Sequence, residues 1–256
     1  MFSHRNDAGA EGVGIAFTDR HGGCSAPPLG SLNLGRTDVD DLTALRANLA
    51  AVQQALGVTT VVAVHQVHGT DVLAVDDALL AGWGTDSWLG SSLPGAAGLP
   101  IADALITTRR GVGLAIRVAD CLPVLFADPA AGVVAAAHAG RVGLAAGVLP
   151  ATLRRMADLG ATRVTAWIGP HVCGNCYEVP AAMRQEVSGS LPAAWATTSW
   201  GTPALDLGGA AVQQLEAAGC AVVRVDPCTL ETPSLHSHRR DGEAAGRQAG
   251  IVWLPA

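Results

Sequence analysis

Two histidines and a cysteine, His68, Cys121 and His138, stand at the ends of stretches whose patterning predicts strands. His68 lies in Gln66-Val67-His68-Gly69, Cys121 in Ala119-Asp120-Cys121-Leu122-Pro123, and His138 in Ala137-His138-Ala139-Gly140. Imidazole and thiolate are donors that zinc takes, and three protein ligands with one open position form a catalytic zinc site. Copper is the second metal such donors accept. The same residues allow a metal-free reading, a cysteine hydrolase or deamidase with Cys121 as nucleophile and His138 as its base.

Hairpin geometry brings two of the three together. Asp128-Pro129-Ala130-Ala131 suits a turn with proline at its second position. A loop over 128–131 sets residue 127 opposite 132, and therefore Cys121 opposite His138. Directly opposed residues share a face of the sheet at about 4.5–5.5 Å, close enough to share one metal. Pro123 next to this pair is a residue expected at a bulge or an edge.

Other motifs carry weaker signals. Cys173-Gly174-Asn175-Cys176 has the spacing of half a structural zinc site, but Cys220 and Cys228 do not supply a second such pair. It is read as a glycine-containing loop with incidental thiols. Ser237-His238-Arg239-Arg240-Asp241-Gly242 is the densest charged run, and with His236 it suggests a phosphate cradle, because arginine matches phosphate oxygens in pairs. Arg20 in Arg20-His21-Gly22-Gly23 and Asn33 in Ser31-Leu32-Asn33-Leu34-Gly35 are further candidate substrate contacts.

These residues need a frame. Leu42, Leu45, Leu49, Val52 and Leu56 recur at helical steps, with Asp40 or Asp41 as N-cap and Gly57 as C-cap. Strands are expected over 61–66, 72–75, 104–107, 111–119, 123–127, 132–138, 163–168, 221–225 and 251–254. Further helices are expected over 144–159, with Pro150 as an alternative start, and over 180–187 and 210–218. The Gly-, Ser- and Pro-containing stretch 82–100, with Trp83 and Trp88, reads as a lid or a disordered segment. No repeat or linker divides the chain, so 1–256 is expected to form one α+β domain.

The composition narrows the class. With 256 residues and 49% hydrophobic content the chain can bury a real core and is not disordered. Its densest apolar stretch, 112–139, is broken by Arg117, Asp120, Pro123, Asp128 and Pro129, so no membrane span is expected. A net charge of −6 argues against a nucleic-acid partner. The start Met1-Phe2-Ser3-His4-Arg5 has no apolar segment behind it, so a cytoplasmic chain with reduced cysteines is expected.

Taken in order, the motifs resemble the YfiH/YlmD family, also called laccase-domain or multicopper polyphenol oxidase proteins. The resemblance rests on Phe17-Thr18-Asp19-Arg20-His21-Gly22-Gly23, Ser31-Leu32-Asn33-Leu34, Gln66-Val67-His68-Gly69, Ala102-Asp103-Ala104-Leu105-Ile106-Thr107, Ala119-Asp120-Cys121-Leu122-Pro123-Val124 and His138-Ala139-Gly140. It continues through Ile168-Gly169-Pro170, Tyr177-Glu178-Val179, Ser237-His238-Arg239-Arg240-Asp241-Gly242 and Gly246-Arg247-Gln248-Ala249-Gly250.

The family implies a single α/β/β/α layered domain with mixed sheets and a zinc held by His68, Cys121 and His138. It implies phosphorolysis of adenosine, inosine, guanosine and methylthioadenosine, and deamination of adenosine. Some members are called peptidoglycan editing factors, which gives a non-enzymatic alternative. Where the family has His-Ala-Gly-Trp-Arg-Gly, this chain has His138-Ala139-Gly140-Arg141-Val142-Gly143, and His238 replaces a usual tyrosine.

The expected partners are therefore a purine nucleoside and phosphate, with the chain a monomer or weak homo-oligomer. Arg141, Arg239 and Arg240 are candidates for phosphate. Asp120 is a candidate for proton transfer or for orienting the ligand beside it, and zinc would acidify a water for deamination. A four-copper oxidase needs many paired histidines, and the chain has eight histidines with one His-x-His, His236-Ser237-His238, so that name is a rival reading only.

Overall fold

In a computed structural model, which describes residues 1–7, 12–35, 38–92 and 98–256, two β-sheets lie face to face with helices on both outer sides. The first sheet is built from β1 (Phe2–Asn6), β2 (Gly14–Thr18), β3 (Thr60–Val62) and β6 (Val112–Val118), closed by β13 (Gln248–Trp253). Its order is β1-β2-β13-β6-β3, so the strand farthest along the chain sits in the middle. The second sheet has the order β12-β9-β7-β8-β5-β4. It contains β4 (Val72–Ala74), β5 (Ala104–Thr107), β7 (Leu122–Asp128), β8 (Val133–Ala139), β9 (Thr165–Ile168) and β12 (Ala221–Arg224). A small ribbon pairs β10 (Trp195–Thr197) with β11 (Pro203–Leu205).

Side-chain alternation builds three apolar layers. Leu114 and Ile116 of β6 point inward to meet Leu125 of β7 and Val134 and Ala136 of β8 between the sheets. Their neighbour Ala115 points outward, beneath α1 (Leu42–Leu56), which buries Leu45, Leu49, Val52 and Leu56. Each such side chain contributes about 1.5–3 kcal/mol on full burial. Val124 and Phe126 face the other way, onto α4 (Val148–Asp158), α5 (Ala181–Ser190) and α6 (Leu207–Ala217). The expected α/β/β/α arrangement is what is observed. Among the described residues no helix is long and apolar enough to cross a membrane.

Several local expectations change. The helix over 144–159 is two helices, α3 (Arg141–Ala146) and α4, because Gly147 takes φ +93° between them. Pro150 stands in the first turn of α4, where a missing N–H costs nothing. The hairpin loop is 129–132 rather than 128–131: Asp128 stays in β7, its carboxylate accepts from the Ala130 and Ala131 amides, and Gly132 turns the chain at φ +64°. Pro123 therefore faces His138, and continuing that register puts Cys121 opposite Gly140.

The lid expectation fails for both tryptophans. Past the short helix α2 (Asp77–Ala81), Trp83 is half-buried with its indole N–H on the Val61 carbonyl. Trp88 is 1% exposed and donates to the Leu34 carbonyl. Both serve the core. Residues 93–97 of the same stretch lie outside the described residues.

Candidate metal centre

Asp103, just before β5, organises the site. Its side chain is fully buried and accepts the amide N–H groups of Val67, His68 and Gly69 at 3.1, 2.9 and 2.6 Å. Those three bonds hold the turn in which His68 adopts φ +63°, a left-handed conformation uncommon outside glycine. The same carboxylate accepts the His138 Nδ1–H at 2.8 Å, while the Asp103 carbonyl accepts the His138 amide at 2.7 Å. With Nδ1 committed to donation, His138 has Nε2 left to offer a metal, as in a carboxylate–histidine–metal relay.

The three candidate donors converge. The donor atoms of His68, Cys121 and His138 lie within 4.8 Å of one another. Cys121 Sγ is 3.8 Å from His68 Nε2, and the two imidazoles meet edge to face at 4.7 Å between centroids. A tetrahedral zinc with ordinary bond lengths sets S and N about 3.6 Å apart, so the donor set fits such an ion. The two-residue shift of the hairpin does no harm to this convergence. The side-chain period of a strand is two, so Cys121 becomes a diagonal neighbour of His138 on the same face.

Gly140 is the clearance for this triangle. A Cβ there would stand 2.5 Å from His68 Cδ2 and 3.2 Å from Cys121 Sγ. A Cβ at Gly143, one helical turn on, would stand 3.0 Å from the Gly69 carbonyl oxygen.

Electrostatics favour the ligating forms. Burial pushes the Asp103 carboxyl up, but the His138 bond and the loop amides outweigh it and hold it down at about 2. Burial likewise raises the Cys121 thiol, yet His138 and His68 bring it down to about 6, so the thiolate is accessible at neutral pH. Burial would lower His138, and its bonds to Asp103 and Cys121 lift it to about 9. Without a metal the positive charge sits on this imidazole; a divalent cation would take over that proton's place.

The triangle opens into a cleft of about 430 Å³, lined also by His65, Gln66, Arg117, His238 and Arg247. Arg117 is pulled down to about 10, by burial first and then by the Arg247 charge. Its guanidinium lies 5.3 Å over the Trp88 ring and donates to the Val64 carbonyl. Arg117, Arg247 and Asp103 were not singled out from the sequence as site residues. Arg117 alternates with core side chains on a strand, which is the one signal that could have found it.

The other expected residues divide. Arg141 is half-buried at the start of α3, where its charge acts on the Tyr177 hydroxyl; burial raises that hydroxyl against the pull of Arg141. Arg239 lies 5.1 Å over the same ring and donates to the Glu178 carbonyl. Neither arginine is among the residues that line the cleft, but Tyr177 also feels Cys121, so both act near the cysteine.

Arg240 does not. Its fork is spent on the carbonyls of Thr229, Leu230, Thr232 and Leu235 and on Asp241, which makes it a loop clamp. Asp120, at φ +88°, gives one oxygen to the Thr229 hydroxyl and the other to the Arg239 amide, each at 2.6 Å. Its carboxylate ties loops together beside Cys121, and Asp103 is the acid that holds an imidazole of the triangle.

Arg20 pairs with Asp241 at 3.6 Å and donates to the Pro28 carbonyl, outside the residues that line the cleft. Buried Asn33 accepts from the amides of Gly35 and Arg247, and so positions two cleft residues without lining it. His236 is buried with Nε2–H on the Leu32 carbonyl, and burial holds it at about 4, so it offers no cation to a phosphate.

Comparison with known proteins gives one consistent answer. The family model described as multi-copper polyphenol oxidoreductase laccase matches residues 14–255. A Streptomyces griseus protein named purine nucleoside phosphorylase is 49% identical over 99% of both chains. A Mycobacterium tuberculosis protein of the same name is 42% identical, covering 98% of this chain and 96% of its own. Among solved structures, a Neisseria meningitidis protein superposes at TM-score 0.79 with 33% identity, covering 100% of this chain and 99% of its own. YlmD from Geobacillus stearothermophilus superposes at the same score with 28% identity and the same coverage. The chain belongs to the multi-copper polyphenol oxidoreductase laccase family, the group that includes YlmD and the proteins named purine nucleoside phosphorylase.

Proposed function

We propose that this chain is a zinc-dependent purine nucleoside phosphorylase, acting on adenosine, inosine, guanosine and methylthioadenosine, with a side activity as adenosine deaminase. The observation that carries the proposal is the three-donor triangle backed by Asp103 at the edge of a cationic cleft. The names of the relatives support the reaction class. Zinc, when bound, would supply a Lewis acid with one open position.

His68, Cys121 and His138 would hold the ion, and Asp103 fixes the His138 tautomer. Arg141 and Arg239, on the Cys121 side, are the phosphate candidates; Arg117 and Arg247 bring further positive charge to the cleft wall. In phosphorolysis a phosphate oxygen bonds to the anomeric carbon as the bond to the purine nitrogen breaks. The purine leaves with a proton, and ribose 1-phosphate remains. The chain acts by holding phosphate against its own charge repulsion and by orienting the sugar.

A metal-free cysteine hydrolase is the second reading, favoured by the lowered Cys121 thiol beside His138. Metal analysis of the purified chain, paired with chromatography of adenosine and phosphate incubations, separates the two. Zinc bound at the triangle, lost with activity in Cys121→Ala, together with phosphate-dependent release of adenine, supports the phosphorylase. Turnover by a metal-free chain, or a Cys121→Ala variant that keeps that zinc, overturns it.

A further inference from the structure

A second group of ligating side chains stands outside the triangle. Cys173, Cys176, Cys228 and Glu231 bring three sulfurs and a carboxylate oxygen within 4.8 Å of one another. The sequence spacing left Cys173 and Cys176 as half a site, and the fold delivers the other half from a loop about fifty residues later. A parallel bridge pairs His171 with Cys228, and the Thr229 amide donates to the His171 carbonyl at 2.9 Å. The Cys-x-x-Cys segment is a tight turn, with the Cys176 and Tyr177 amides both on the Cys173 carbonyl. Gly174 in that turn passes Asp206 so closely that a Cβ would stand 2.7 Å from the Asp206 Cβ.

We propose that Cys173, Cys176, Cys228 and Glu231 form a closed structural site for a thiophilic divalent cation such as zinc, separate from the cleft centre. Four protein donors with no open position is the composition of a structural zinc site, and a tetrahedral ion with Zn–S bonds near 2.3 Å sets its sulfurs about 3.8 Å apart. Amide N–H groups already point at the sulfurs. The Cys173 N–H lies 3.5 Å from Cys228 Sγ, and the Asn175 N–H acts on Cys173. Such bonds stabilise thiolates.

Burial and the neighbouring thiols push Cys173 and Cys176 above the ordinary thiol range. A cation that binds cysteines as thiolates releases their protons on binding. Val172, Cys176 and Cys228 are buried, whereas Glu231 is exposed and closes the site from the solvent side.

The site would do mechanical work. It would join the loop carrying Tyr177 to the loop carrying Thr229, whose hydroxyl holds Asp120 next to Cys121. Arg240 clamps the carbonyls of that second loop from the other side. The cation would thus brace the loop that carries Tyr177, on which Arg141 and Arg239 act.

The experiment uses the full chain with the triangle disabled by His68→Ala and Cys121→Ala, and cadmium as the probe. Native mass spectrometry is expected to show about one cadmium per chain, with strong thiolate-to-cadmium absorption in the ultraviolet and acid release on binding. Adding Cys176→Ser is expected to abolish all three. Absence of bound cadmium in the folded double variant, or an intact mass two hydrogens short, which signals a disulfide, overturns the proposal. Should the variants not fold, the wild-type chain is read by alkylation: Cys173, Cys176 and Cys228 blocked until a chelator is added supports the site, and free alkylation without chelator overturns it.

Discussion

Asp103→Asn tests how much of the centre hangs on one carboxylate. The substitution keeps size and removes charge. The aspartate accepts three amide N–H groups and the His138 Nδ1–H. Asparagine has one acceptor oxygen, so its NH2 must face at least one of those donors. Losing a buried charge-assisted bond costs about 1.5–3 kcal/mol.

Linkage gives an independent figure. The carboxyl is held at about 2 against an ordinary 3.8, and a depression of that size corresponds to about 2.4 kcal/mol at neutral pH. Because the folded value is the lower one, this stability is present above about pH 4 and is lost as pH falls toward 2. The His138 shift has the opposite sign in pH, present below 6.5 and lost as pH rises through about 9. It reflects partly the same contact and is not added.

The variant should therefore melt about 5–10 °C below wild type at pH 7, and the gap should narrow as pH falls below 4. Metal affinity, measured by competition with a chelator, should fall about 10–100-fold. A variant that melts within a degree of wild type at pH 7 and competes equally for metal would refute the assignment of Asp103 as organiser.

Gly140→Ala should leave the sheets intact and weaken metal binding at the triangle, because the new methyl displaces His68; chelator competition beside an unchanged far-ultraviolet dichroism spectrum checks it. Arg240→Ala should lower the melting temperature by several degrees and leave the KM for phosphate within about twofold, since its fork serves loop carbonyls. Arg141→Ala should raise the KM for phosphate at least several-fold with metal content unchanged, read by initial rates and metal analysis.

The structure brings His68, Cys121 and His138 together although the hairpin differs from the one expected from the sequence. The loop was placed one residue early and the register was wrong by two. The error was harmless because strand faces repeat every two residues. α1 was legible because its leucines repeat on one face over fifteen residues. The edge strand β1 and its partner β2 left no pattern to read, because β1 is largely exposed without an apolar face and β2, buried throughout, lacks in–out alternation. Asp103 was hidden for a different reason: its role comes from a turn thirty-five residues earlier and a histidine thirty-five later, and neither leaves a local mark. Arg240 misled because a run of charge looks the same whether its partners are ligands or carbonyls. The tryptophans misled because a glycine-bearing segment can still deliver anchors to the core.

The central place of β13 has a consequence for how the molecule is assembled. β13 bonds to β2 on one side and β6 on the other, bridging segments about 230 and 130 residues earlier. All three candidate ligands of the triangle are made before it, by residue 138. At a synthesis rate of about 5–20 residues per second, some 5–20 seconds pass between the emergence of His138 and that of β13. During that interval β2 and β6 are open sheet edges and Cys121 has no finished wall over it. The growing chain is thus most exposed to wrong strand pairing and to thiol chemistry when its ligands are already present, and insertion of one short strand ends both hazards together.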